Sequence, residues 1–143
     1  MKEQVYIFKV SVEKSVHRTI ELKGSTSLYD FAEEIISAFD FEFDHAFGFY
    51  DNINDLYESN AKYTLFYDSI KPVNPGEKSV KKSYVYEVFE PGKKMAFLFD
   101  YGDDWIFLVE CLGVADQEAG KKYPIVTGKK GKAPEQYPDY DDE

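Results

Sequence analysis

The chain has 143 residues, 43% of them hydrophobic and 31% charged, which is one domain's worth of core and the composition of neither a disordered tail nor a membrane protein. Its 27 acids against 17 Lys and Arg give a net charge of −10, which argues against a surface that grips phosphate backbone throughout. Arg18 is the only arginine, where nucleic-acid sites lean on Arg, and Cys111 is the only cysteine, which excludes an intramolecular disulfide and a four-cysteine zinc site.

Residues 4–12 read as a strand. Tyr6, Phe8, Val10 and Val12 alternate with Val5, Ile7, Lys9 and Ser11, and apolar residues on both faces at its start predict a central position. Glu13, Lys14 and Ser15 form a polar turn into a second strand, 16–22, so the two are expected to pair as a hairpin. Val16, Ile20 and Leu22 share one face of that strand, and Arg18 falls among them. A charge on an apolar face needs a partner, so Arg18 is expected to be structural and paired with Asp100 or Glu110. Residues 28–39 predict one main helix: Ser27 caps it, Asp30 sits in its first turn, and Leu28, Phe31, Ala32, Ile35 and Phe39 recur at helical spacing.

A third strand is expected over 45–51, followed by Asn/Asp-rich loop to residue 60. Residues 62–67 read as a short strand or as part of that excursion, and 71–76 as loop. Residues 83–89 read as a short helix capped by Ser83, with strand at 84–86 as the alternative. Over 94–113 the β signal is clearest. Met95, Phe97, Phe99 and Tyr101 alternate, Gly102 to Asp104 turn, and Trp105 to Leu112 return, predicting a hairpin. After Val114 come an extended Lys-, Gly- and Pro-rich arm and an acidic tail over 135–143. The expected whole is a single α+β domain over 1–134, one main helix on a mainly antiparallel sheet. No apolar stretch approaches the ~20 residues of a membrane span, and no leader is read at the N-terminus, so a cytoplasmic location is expected.

Three segments carry a resemblance: Arg18-Thr19-Ile20-Glu21-Leu22 with Ser27 to Ile35 behind it, Asp44-His45-Ala46-Phe47-Gly48-Phe49-Tyr50, and Phe99-Asp100-Tyr101-Gly102-Asp103-Asp104-Trp105. With Tyr123-Pro124 and Ala133-Pro134-Glu135 trailing in order, the chain resembles the plasmid pRiA4b ORF-3-like family of small proteins often encoded near transposons and plasmids. The resemblance implies an α+β fold with a mainly antiparallel sheet and no established biochemical role. A resolvase-like label carried by some relatives finds no support, because serine recombination needs a nucleophilic Ser among several arginines. Where many relatives have a His two residues after the Trp this chain has Phe107, and Ala133 to Pro138 lacks the cysteines found there in others. Metal or His-based chemistry therefore lacks those ligands here.

The carboxylates Asp100, Asp103 and Asp104 cluster at a hairpin tip. They read as a cation or acid/base site, with His45 as the accompanying group, or as plain turn chemistry. Asp51 to Asp55 fails the calcium-loop pattern because Ile53 occupies the third position. No phosphate-binding glycine loop is present, His17 lies on a polar strand face, and Cys111 reads as inert core. From Gly24 to Ala61 there is no Lys or Arg but nine acids, whereas Lys78 to Lys94 and Lys121 to Lys132 hold clustered cations. A solvated surface explains such a map, and so does an acidic helix face that docks a basic protein. The expected function is a non-enzymatic protein-interaction module, with Trp105, Tyr101, Glu33 and Glu34 as contact residues and another protein as partner. The alternatives are an enzyme at Asp100, Asp103, Asp104 and His45, and a weak single-stranded nucleic-acid binder through the later lysines, which the charge disfavours. No metal, cofactor or membrane partner is expected.

Overall fold

A computed structural model of the chain describes residues 1–65 and 77–137. The expected loop at 71–76, the end of the 62–67 segment and most of the acidic tail lie outside the described residues. The strands are β1 (Val5–Val12), β2 (Val16–Lys23), β3 (Phe47–Tyr50), β4 (Lys62–Thr64), β5 (Glu77–Ser79), β6 (Lys94–Phe99), β7 (Trp105–Ala115) and β8 (Ile125–Lys130). The helices are α1 (Leu28–Ala38) and the short α2 (Val85–Val88), with a 3₁₀ turn at Leu56–Glu58. The eight strands form one mixed sheet in the order β5-β4-β3-β6-β7-β1-β2-β8, in which β4 and β5 run parallel. The α+β expectation holds at this level.

Alternation decides which face of each strand meets α1. Phe8 and Val10 of β1 stand beside Ile20 and Arg18 of β2 on one side and Cys111 and Val109 of β7 on the other. Phe97 and Phe99 of β6 pair with Phe107 and Trp105 of β7 and with Phe49 and Phe47 of β3. These residues share the inward face, where Phe8, Phe31, Phe47, Phe49, Phe97, Phe99 and Phe107 are fully buried. The ring of Phe31 in α1 lies 4.5 Å from that of Phe8 and 5.7 Å from that of Phe49, which seats the helix on the middle of the sheet. The Asp30 amide donates to Ser27 Oγ at 3.1 Å, as a capping serine requires.

Several elements differ from the sequence reading. The lysine-rich arm contains β8, an edge strand paired with β2. β5 has three residues and pairs with β4, an element too short to leave a pattern. Over 83–89 the chain is helical at Val85–Val88, but Ser83 is not its cap. The Tyr84 amide donates to Glu87 Oε1 at 3.2 Å, and the Ser83 carbonyl accepts from the Leu28 amide at 2.9 Å. Among the described residues no helix is long and apolar enough to cross a membrane.

Arg18 requires a correction. It is 4% exposed, as its place on the apolar face demands, but neither Asp100 nor Glu110 pairs with it. Its Nε donates to the Ala38 carbonyl at 3.1 Å, and Nη1 donates to the His17, Lys130 and Gly131 carbonyls at 2.9, 3.2 and 3.1 Å. The guanidinium also sits 5.0 Å from the centre of the Phe39 ring. The last turn of α1 contains no basic residue, so Arg18 supplies from β2 the cation that a helix C-terminus favours. One side chain thereby joins β2, the end of β8 and the end of α1.

Replacing Arg18 by Met removes four donated bonds at once. Only the Ala38 bond is buried and the other three are part-buried; a buried carbonyl left unmatched costs about 1–3 kcal/mol, so the unfolding free energy in urea is expected to fall by on the order of 3 kcal/mol. Arg18→Lys is expected to recover only part of this, because an ammonium cannot span acceptors on two elements. An unchanged denaturation midpoint in Arg18→Met would show that the guanidinium does not hold these elements together.

Candidate functional site

The tip between β6 and β7 is built by aspartates. Asp100 and Asp104 have φ of 67° and 52°, a left-handed backbone that Asp tolerates better than most residues. Asp100 Oδ1 accepts from the Gly102 and Asp103 amides at 3.0 and 3.2 Å, and the Asp104 amide donates to the Asp100 carbonyl at 2.6 Å. The residue type therefore follows from the turn. Asp103 and Asp104 are exposed at its outer end, while Asp100 is buried.

The second oxygen of Asp100 faces His45. Oδ2 lies 3.3 Å from His45 Nε2, so the two groups that sequence placed in different segments do meet. They meet inside a larger network. His45 Nε2 lies 2.6 Å from the Tyr137 hydroxyl and 3.5 Å from Asp44 Oδ1, and the Tyr137 hydroxyl donates to Asp44 Oδ2 at 2.8 Å. With the phenol proton given to Asp44, Nε2 carries the proton that reaches the Tyr137 oxygen. Gln136, 8% exposed, completes the contact. Its Oε1 accepts from the Glu42 amide at 2.6 Å, and its Nε2 donates to the Glu42 carbonyl at 3.1 Å and to Asp44 Oδ1 at 3.3 Å. The network thus ties the segment at 136–137 to the loop before β3.

The Tyr137 hydroxyl is pushed up to about 12, first by desolvation, then by its bond to Asp44 and by the charges of Asp44, Asp100 and Glu42. Sequence reading placed Tyr137 and Gln136 in a tail and missed them, because their partners lie more than ninety residues away. The only local signal was Asp44 next to His45.

The other expected contact residues are placed as follows. Trp105 is half-buried against Phe41, ring centres 4.9 Å apart, and among the described residues its Nε1 has no hydrogen-bond partner. The Tyr101 hydroxyl is 2.6 Å from that of Tyr50, and burial holds both phenols above their ordinary range. Gly48 makes room for this pair, since a Cβ there would stand 2.8 Å from the Tyr101 oxygen. Glu33 is exposed on α1; Glu34 beside it is half-buried, its carboxyl raised by desolvation and then by Glu33 and Asp30. Cys111 is buried and its thiol is pushed up by desolvation, away from nucleophilic use. Among the described residues no group of three or more His, Cys, Asp or Glu is arranged to hold a metal ion.

Grooves of about 540, 460, 520 and 380 Å³ cross the surface, and none of these four is lined by Asp100, Asp103, Asp104 or Trp105. The groove of about 460 Å³ includes Gln136 and Tyr137 but not His45. The groove of about 520 Å³ lies on the sheet face opposite α1, between Ile53 and the outward side chains Ile106 and Leu108.

The family model described as plasmid pRiA4b ORF-3-like protein matches residues 4–139. Among solved structures, the chain is similar to a protein of unknown function, MM3350, from Methanosarcina mazei Go1, with a TM-score of 0.75 and 22% identity over 94% of this chain and 73% of that one. At that identity the likeness shows the fold alone. No curated protein matches the sequence.

The titration of Tyr137 tests the network. The phenol is raised in the folded state from 10.0 to about 12, so its neutral form is favoured there. Its contribution to stability is complete below pH 10 and is lost as pH rises towards about 12. Ultraviolet difference titration is expected to show one exposed tyrosine ionising late, and Tyr137→Phe to remove that phase. Hydrogen exchange at 133–137 is expected to speed up in Tyr137→Phe at neutral pH; exchange identical to the parent would show that the hydroxyl does not hold the segment.

Proposed function

This chain belongs to the plasmid pRiA4b ORF-3-like family, and we propose that within it the chain acts as a non-enzymatic protein-interaction module. The observation that carries the reading is the open face of β7. Outward-pointing Ile106 and Leu112 are 49% and 55% exposed, Leu108 lies half-buried between them, and Ile53 beside the strand is 41% exposed. Apolar side chains left in water on one strand cost solubility unless something covers them. Glu110 interrupts the row between Leu108 and Leu112, and Lys9 stands opposite it on β1, so charges of both signs lie within and beside the apolar residues. The acidic face of α1, with Glu33 and Glu34, adds a second surface suited to a basic protein. The mobile-element setting of the family and a single domain over 1–134 complete the proposal.

A second reading, an enzyme using Asp100, Asp103, Asp104 and His45, is favoured by the 3.3 Å approach of Asp100 to His45. Against it, Nε2 of that imidazole is already committed to Tyr137, and Asp100 Oδ1 to the turn. An acid–imidazole pair that acts on substrate needs its reactive atoms free and facing a cleft.

The reading is tested by affinity capture from lysate with and without nuclease. The parent protein is compared with an Ile106→Lys/Leu112→Lys variant and a Glu33→Lys/Glu34→Lys variant, each verified as folded by its melting curve. A partner retained after nuclease and lost with the β7 variant is expected. Loss only with the α1 variant would move the contact to the helix. A set that vanishes with nuclease would favour the nucleic-acid alternative, and one that neither variant changes would end the reading.

A further inference from the structure

β8 closes one end of the sheet, and among the described residues it pairs on one side only, with β2. Its inward side is defined at its end, where the Lys130 carbonyl turns towards Arg18 at 3.2 Å. Backbone groups of successive strand residues point to opposite sides, so Lys129 turns its N–H and C=O away from β2, to the open edge. Registers then place the side chains. Lys129 stands opposite Arg18 and so on the α1 face, and Lys130 stands opposite His17 and so on the other face. A cation therefore flanks the open edge above and below.

Among the described residues these charges are unmatched. Lys121 pairs with Glu21 at 3.2 Å and with Glu118 at 3.7 Å, but among the described residues Lys122, Lys129, Lys130 and Lys132 have no carboxylate within ion-pair distance. The His17 imidazole, opposite Lys130, is held below its ordinary value. Desolvation lowers it first, and Lys9, Lys130 and Arg18 lower it further.

We propose that the β8 edge binds an extended acidic peptide segment by strand addition, with backbone hydrogen bonds at Lys129 and carboxylates reaching Lys129 and Lys130.

Lysines on an edge ordinarily repel stray strands. Here they select among strands instead, because only an acidic one turns that repulsion into attraction. A second copy of β8 is a poor occupant: antiparallel self-pairing would crowd two lysines from each copy into one ladder. Nucleic acid is also disfavoured. β8 contains no arginine, and the nearby Tyr123 ring is engaged, with the Lys121 ammonium 5.9 Å from its centre and its hydroxyl accepting from the Glu118 amide at 3.2 Å. That makes the Tyr123 ring a poor stacking platform. A strand with a few carboxylates also meets less repulsion from the rest of the chain than a polyphosphate does. The β8 edge is separate from the open face of β7, so this proposal stands or falls independently of the interaction reading above.

The test uses the full chain and a short fluorescent peptide with adjacent glutamate pairs separated by valines, so that an extended strand carries carboxylates on both faces, titrated by anisotropy at low ionic strength. Saturable binding is expected, with slower amide exchange at residues 125–130. Lys129→Glu/Lys130→Glu is expected to weaken binding by at least about tenfold. On the parent protein, a peptide N-methylated at alternate bonds is expected to lose binding while keeping its charge. The proposal is overturned if the unmodified peptide does not bind, or if N-methylation leaves its affinity intact. Tighter binding of oligothymidylate than of the peptide would assign the edge to nucleic acid and overturn it equally.

Discussion

Among the described residues, one helix of eleven residues covers one face of a sheet eight strands wide, and most of the molecule follows from that inequality. Phe31, Ile35 and Leu28 of α1 bury the inward phenylalanines of the central strands, and the α1 side becomes the core. The opposite face must then be covered by loops, by large side chains over small ones, or by nothing. Tyr50 and Tyr101 cover Gly48, while Ile106 and Leu112 on β7 remain half in water. A sheet so unequally covered is a packing solution on one side and a docking opportunity on the other.

Polar groups at the margins of the core do the joining. Arg18 is a buried cation satisfied by carbonyls rather than by a carboxylate, so it avoids the desolvation of a second charge while closing the end of α1. The Asp44, His45, Asp100 and Tyr137 network does the corresponding work at the tip between β6 and β7, tying distant chain to a turn whose shape aspartate already sets. Both arrangements spend reactive-looking residues on architecture. That is the physical reason for proposing an interaction surface rather than catalysis at His45.

The parts of the fold that sequence made legible are those encoded by neighbours. Ser27 three residues before Asp30 announced the start of α1, and the alternation of Met95, Phe97 and Phe99 announced β6 with its inward face. β8 was not legible as a strand because Gly128, Lys129 and Lys130 supply no apolar alternation; its stability comes from pairing with β2. The partner of Arg18 was misread for a related reason. A carboxylate can be found in a sequence, but a backbone carbonyl belongs to every residue and carries no signature.

The sequence by itself determined the α+β class, the helix cap, the inward faces of the central strands and the family, because each depends on periodicity, capping or a contiguous motif. Only the tertiary structure decided which acceptors Arg18 meets, that His45 binds Tyr137 as well as Asp100, and that Lys129 and Lys130 stand on an edge strand. Those facts depend on the path of the chain, which brings together polar groups about ninety or more residues apart, and local pattern holds no record of distance in space.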